Sequence, residues 1–407
     1  MDAYRVEISL AFVLVYMVFC VVVGMWAMRR THDASDFFVA GRHLGPMVVA
    51  LAVFSSTLSG FGFVGGPGLV YSSGLSSLWM VVVAGFGYAI GFFLVSKRIR
   101  MIAGVRNALS LPDVIAARYG SEWARGLMAI TILLGVMGYL ATQILAMALV
   151  LQSLLGATET FADISLVTCV AWSLAVLVFY SVTGGIVASV YTDVIQGAIM
   201  AVAGLLILLT ASSVYSGGLP EATGIILADD AEAALPFGTL GMITALGWGF
   251  VFGVGLAGQP HLITKMMMNR KISDNRTIFP MSLVGYALAA LLWFSIGIIM
   301  RATVLDGSMA PLDAPDAAAP VFLATFAHPL LAGVVFAALF AAIMSTSDAF
   351  LNIGTAAVIH DLPNAVRGRS VQNELFWARV VTCLITLVAA AFALYSYYGN
   401  DRLVALL

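Results

Sequence analysis

The chemistry that this sequence could support rests on two acids and a short run of hydroxyls. Of 21 Asp and Glu residues, only Asp193 and Asp348 fall inside long apolar stretches. A carboxylate in hydrocarbon is costly, so such an acid marks an ion, proton or substrate path by default. Asp348 stands in AAIMSTSDAFLN, beside Ser345, Thr346 and Ser347. A lone Ser or Thr in a helix usually bonds back to the i−4 carbonyl. Several oxygens gathered next to an interrupted helix suit a hard cation better. A dehydrated sodium ion would take about five or six oxygens, by analogy with other hard cations. Ser345 and Thr346 supply two, and carbonyls freed by a broken helix could supply others. Asp193 lies in GGIVASVYTDVIQG, near the start of its own apolar stretch, where a helix N-terminus would also favour an acid.

A second pattern suggests different chemistry. Gly60, Gly62 and Gly65 in SSTLSGFGFVGGPGLVY spell G-x-G-x-x-G, the spacing of a dinucleotide-binding loop. That reading requires a strand before the glycines, a helix after them and an acid about 20 residues on. Here both flanks are long and apolar, and no Asp or Glu occurs between Asp36 and Asp113. A nucleotide site is therefore excluded.

The elements that must position these groups follow from composition. The 407 residues are 61% hydrophobic and 10% charged, with mean hydropathy +1.02. A soluble domain carries about 25% charged residues, so this chain cannot cover itself with polar surface and must sit in a lipid bilayer. Ten spans are predicted, at 8–28, 46–71, 78–96, 126–155, 164–182, 188–213, 239–262, 278–300, 330–358 and 376–398. All read as helices, because strand-like alternation is absent. All but Arg5, Arg301 and Arg402 of the 19 Lys and Arg residues, Lys265 included, fall in connections on one side. That side is cytoplasmic, which puts the N-terminus outside and the protein in the cell's inner (plasma) membrane. The outer loop 214–238 carries Glu221, Asp229, Asp230 and Glu232 and no basic residue. A net charge of −2 gives no electrostatic footprint for nucleic acid. Cys20, Cys169 and Cys383 read as buried thiols, and the histidines form no metal or catalytic constellation. Trp79, Trp123 and Trp377, near span ends, read as interfacial anchors.

The glycine pattern recurs. Gly253, Gly255 and Gly258 repeat it, and both copies end in proline at the same offset, Pro67 and Pro260. Two Gly/Pro-interrupted spans in corresponding places point to a transporter built from inverted repeats, with its site at the breaks. Span 1 stands apart as residues 8–28. Residues 46–213 form a first five-helix repeat, and 239–398 a second with four helices. The chain stops at GNDRLVALL, where an eleventh span could start, so the last core helix is expected to be missing.

At these residues the chain resembles the sodium:solute symporter family. The matching stretches are SDFFVAGRHLGP, the first broken helix, LSLPDVIAARYG, GGIVASVYTDVIQG, GQPHLITKMMMNR and AAIMSTSDAFLN. The resemblance implies a LeuT-type five-plus-five inverted repeat with an extra N-terminal helix, and sodium-driven import. It implies a main sodium site of carbonyls at Ser55, Leu58 and Ala342 with the hydroxyls of Ser345 and Thr346. The family's second cation site would use Asp193, but Asp348 and Ala349 stand where that site has hydroxyls. It could be a sodium site with an extra charge, a proton site, or absent.

The solute pocket would take in Thr57, Ser59, Gly60, Phe61, Phe252 and Leu256. The family's proline carriers have an acid at Thr57 and an aromatic at Leu256, so proline is not favoured. Tyr139 and Gln143, one helical turn apart, and Gln259 could face the same cavity or simply bond between helices. So few charges suggest a small neutral, zwitterionic or monocarboxylate solute. The expected function is a sodium-coupled symporter importing a small organic solute by alternating access. The alternatives are a transporter-like membrane solute sensor and a proton-coupled symporter using Asp193 and Asp348. An enzyme is not expected, since no nucleophile–base pair, metal motif or cofactor loop is present.

Overall fold

The computed structural model describes residues 4–399 except Val64, Pro236 and Thr239, and of Phe61 and Ala234 only the backbone. Among the described residues the regular structure is helical, with one isolated bridge between Leu44 and Asn269. Helix α1 is Arg5–Met28. A broken helix follows: α2 (Pro46–Thr57), α3 (Gly60–Phe63) and α4 (Gly65–Ser73). Then come α5 (Leu78–Ile90), which runs on through a π-turn to Arg106, and the short α6 (Leu111–Tyr119). Helices α7 (Glu122–Gly156) and α8 (Leu166–Ser212) complete the first half. The second half opens with another broken helix, α9 (Gly241–Gly258) and α10 (Pro260–Met266). It continues with α11 (Asn275–Leu305), α12 (Pro329–Ala356) and α13 (Glu374–Gly399).

Local chemistry sets many of the ends. Ser110, Ser121 and Ser165 each accept a backbone N–H of the helix they precede, satisfying an otherwise orphaned donor. Proline opens α2, α10 and α12, where its missing N–H costs nothing.

Among the described residues, eight helices are long and apolar enough to cross a membrane. The other two predicted spans are the interrupted α2–α4 segment and a second length of α8. The sequence separates 164–182 from 188–213, but α8 is recorded as 47 residues divided only at Gly185, with φ 51° and ψ −140°. A straight helix of that size would measure about 70 Å, far beyond a hydrocarbon core of about 30 Å. Glycine is required at the division: a Cβ there would stand 2.5 Å from the ring of Phe37.

Helix α12 is the axis of the bundle. It packs on α1, α7, α8 and α13, and every residue from Ala337 to Ala357 is buried. A helix apolar on all sides belongs in such a place, so the hydroxyls and acid it carries face other helices. By contrast, α9 packs mainly on α5 and exposes Met242, Ile243, Leu246, Phe250 and Val251. The three cysteines are free thiols; Cys20 and Cys169 are buried, but Cys383 is only partly so.

Candidate functional site

Helix α2 stops because Leu58 turns extended, with φ −88° and ψ 126°. The last carbonyls of a helix have no intrahelical donor, and here they meet α12. The Ser345 hydroxyl lies 3.1 Å from the Ser55 carbonyl and 3.0 Å from that of Ala342. The Thr346 hydroxyl lies 2.9 Å from the Leu58 carbonyl, 3.0 Å from Ala342 and 3.5 Å from Ser56. The five oxygens expected from sequence are thus gathered in one buried place. Each hydroxyl has a single proton, so acceptors outnumber donors. A surplus of buried lone pairs is what a dehydrated cation can use.

The acids are arranged differently from expectation. Lys265 was placed in a cytoplasmic connection, yet it is buried at 1% exposure. Its Nζ meets Asp193 Oδ2 at 2.5 Å, the Ala52 carbonyl at 3.2 Å and the Ser56 hydroxyl. The other carboxylate oxygen of Asp193 accepts from the Ser55 hydroxyl at 3.5 Å. Ser55 therefore links this ion pair, through its side chain, to the α2–α12 oxygens, through its carbonyl. The hint in the sequence was position: Lys265 sits in HLITKMMM, apolar on both sides. Asp348 is held by neutral donors, the Tyr180 hydroxyl at 2.7 Å and the Ser189 hydroxyl at 2.8 Å. Among the described residues no Lys, Arg or His is in ion-pair contact with it.

Beside the break lies a cavity of about 670 Å³. Thr57, Ser59, Gly60, Tyr139, Gln143, Phe252, Leu256 and Gln259 all line it, as does Leu58. The side chain of Phe61 lies outside the described residues. Gly60, which restarts the helix after the break, donates its N–H to Gln143 Oε1 at 3.3 Å. Thr57 and the Tyr88 hydroxyl are 2.6 Å apart. Tyr88, Tyr286 and Trp293 continue as an edge-on aromatic column, of which the latter two line the cavity. Sequence reasoning missed this column, because an aromatic in an apolar helix does not declare which face it presents.

The glycine motif has a packing role, and its two copies are not equivalent. The first copy follows its break at Leu58, whereas the second precedes its break at Gln259. In the first copy a Cβ on Gly62 would lie 3.0 Å from the Trp293 indole, and one on Gly66, which directly follows that copy, 2.8 Å. On Gly255 and Gly258 it would meet nothing within 4 Å. Gly62 and Gly66 admit the indole, and the carbonyls that meet the α12 hydroxyls come from Ser55 and Leu58, upstream of them.

The histidines also form more than expected. His261 Nε2 is 3.2 Å from the Ser56 carbonyl, and its ring packs on Phe350. His360 bridges Asp113 at 2.8 Å and Glu374 at 2.9 Å, with Asp361 close by, where no constellation was expected. With Arg125 on Asp113, this is a charged network tying α6, α7, the end of α12 and α13. Of the three tryptophans read as anchors, Trp123 is exposed, Trp377 is partly exposed and Trp79 stacks on Phe237.

An all-helical membrane bundle with two broken helices and a cavity at a break defines a secondary transporter. The comparisons give the family: the sodium:solute symporter profile matches residues 37–406, and the chain belongs to that family. It is 30% identical over 396 residues to the sodium/proline symporter of Escherichia coli (strain K12), covering 93% of this chain and 75% of that one. It is 28% identical over 385 residues to the osmoregulated proline transporter OpuE of Bacillus subtilis (strain 168), covering 92% and 75%. A Na+-coupled sialic acid symporter in a substrate-bound outward-open state superposes with TM-score 0.81 at 19% identity, covering 97% of this chain and 83% of that one. MhsT in complex with L-phenylalanine superposes with TM-score 0.54 at 15% identity, covering 86% and 79%. These likenesses carry the LeuT-type fold. The protein is a sodium-coupled importer of a small organic solute, not an enzyme, with sodium as the coupling ion.

Proposed function

We propose that sodium binds between the break in α2 and helix α12, on the carbonyls of Ser55, Leu58 and Ala342 and the hydroxyls of Ser345 and Thr346. The observation that carries this is the excess of buried acceptors over donors at that point. The solute would bind in the adjoining cavity on Thr57, Ser59, Gly60, Phe61, Tyr139, Gln143, Phe252, Leu256 and Gln259. Leu58 belongs to both, since its carbonyl faces Thr346 and the residue lines the cavity. An ion that fixes Leu58 also fixes Ser59 and Gly60, which orders the solute site and couples the two. Polar groups set among aromatic walls favour a small neutral, zwitterionic or monocarboxylate solute.

Residues 46–213 and 239–398 would be the two repeats that rock about this site. The basic connections would face the cytoplasm and the N-terminus the outside, in the inner membrane. A proton at Asp348 is a second coupling reading, favoured by a buried carboxylate with no Lys, Arg or His in ion-pair contact among the described residues. The test is a thermal-shift screen of neutral amino acids, betaines and monocarboxylates, each with sodium and with N-methylglucamine. A solute that stabilises only in sodium is expected. A solute that stabilises equally in both would overturn the proposed coupling.

A further inference from the structure

Lys265 stands on α10, directly after the Gln259 break, and its ammonium reaches across to α2 and α8. Among the described residues its polar partners are all oxygens: Asp193 Oδ2 at 2.5 Å, the Ala52 carbonyl at 3.2 Å and the Ser56 hydroxyl. Three ammonium protons match three acceptors. A carboxylate, a carbonyl and a hydroxyl are also the donor set that a hard cation takes. The pocket shares Ser55 with the α2–α12 oxygens, so whatever cation fills it also holds the last turn of α2 in place.

From this geometry we propose that Lys265 is a tethered cation. It fills the Asp193 pocket permanently, so that this carboxylate takes no dissolved ion and sodium enters only at the α2–α12 oxygens. The proposal rests on the sodium-coupled reading above and adds an ion count to it. It also explains how Asp193 stays in the core through a transport cycle, since the neutralising charge cannot leave. Shortening the side chain would open a vacancy of cation-binding oxygens beside an uncompensated acid.

The test reads the melting temperature of the purified protein as sodium is titrated against N-methylglucamine. The background is Ser345→Ala, Thr346→Ala, in which the response of the main site is removed. Adding Lys265→Ala should create a new sodium-dependent rise of about 2 °C or more. Adding Asp193→Asn as well should abolish it. Ammonium chloride, supplying the missing group as a free ion, should stabilise the Lys265→Ala protein and not its Asp193→Asn derivative. A folded Lys265→Ala protein that answers neither ion overturns the proposal. Recovery of Lys265→Ala only in sodium or ammonium buffers supports it. Failure in all buffers, while Lys265→Met, Asp193→Asn folds, overturns it. A sodium response that persists in the background with Lys265 intact would count against the main-site assignment alone. The tethered cation stands or falls on the gain that Lys265→Ala adds and Asp193→Asn removes.

Discussion

The Thr346 hydroxyl lies 2.9 Å from the carbonyl of Leu58, the residue at which α2 leaves its helical path. This contact joins the long buried helix α12 to the wall of the cavity beside the break. It also gives the break a physical cause to persist. A carbonyl freed from a helix inside a membrane protein needs a partner, and α12 provides one through a side chain that a cation could replace.

Removing that oxygen should weaken sodium without unfolding the protein. Thr346→Val keeps the shape and deletes the hydroxyl, whereas Thr346→Ser keeps the hydroxyl. A contact to a charged group is worth about 1.5–3 kcal/mol, or roughly 10- to 100-fold. The sodium concentration for half-maximal uptake should rise by that factor in Thr346→Val and by little in Thr346→Ser. Equal sodium curves for the two variants would remove Thr346 from the site.

Glycine replacements should separate Gly66, which directly follows the first copy of the motif, from Gly255 in the second. Gly66→Ala drives a methyl against the rigid Trp293 indole, 2.8 Å away, so a loss of about 1–3 kcal/mol is expected. Gly255→Ala meets nothing within 4 Å and should be neutral or slightly stabilising. Combining Gly66→Ala with Trp293→Leu should recover much of the loss, as residues in contact couple. Thermal unfolding in detergent measures all three, and additive losses would refute the packing role.

The sequence showed the bundle, the two breaks and the oxygen donors more clearly than it showed the pairing of charges. Hydropathy reads length and composition, so the spans emerged, and Gly185 alone blurred one boundary because a single residue divides α8. The residues Ser55, Leu58, Ala342, Ser345 and Thr346 came from resemblance, and the structure brings them together. Lys265 was misplaced because a positive charge near a span end is ordinarily a topology signal. Only three-dimensional packing reveals that its end lies against Asp193. The aromatic column and the His360 network share that cause: Tyr88 meets Tyr286, and Asp113 meets His360, across different helices.

The network of Asp113, His360 and Arg125 should make stability depend on acid pH. Burial alone would raise the Asp113 carboxyl. His360, the Leu109 amide and Arg125 outweigh it and hold the group below its usual value. A depressed carboxyl stabilises the fold fully above its unfolded value, about 3.9, and loses that contribution as pH falls through the folded value. The stability difference between wild type and Asp113→Asn should shrink below about pH 4. Unfolding measured from pH 4 to pH 3 checks this; a difference that grows over that interval would contradict the network.

Orientation can be read by cysteine labelling. Ser216 and Ser370 are both exposed and lie in connections predicted to face opposite sides. In a Cys383→Ser background, an impermeant maleimide added to whole cells should label Ser216→Cys and not Ser370→Cys. Inverted vesicles should give the reverse. Labelling of both from outside would refute the assigned sidedness.

The most direct measurement is a sodium titration of the purified protein's melting temperature, comparing wild type with Ser345→Ala, Thr346→Ala. The α2–α12 site predicts a saturable sodium-dependent rise in wild type, with half-saturation shifted at least about 10-fold or lost in the double variant. Superimposable sodium curves from two equally folded proteins would contradict it.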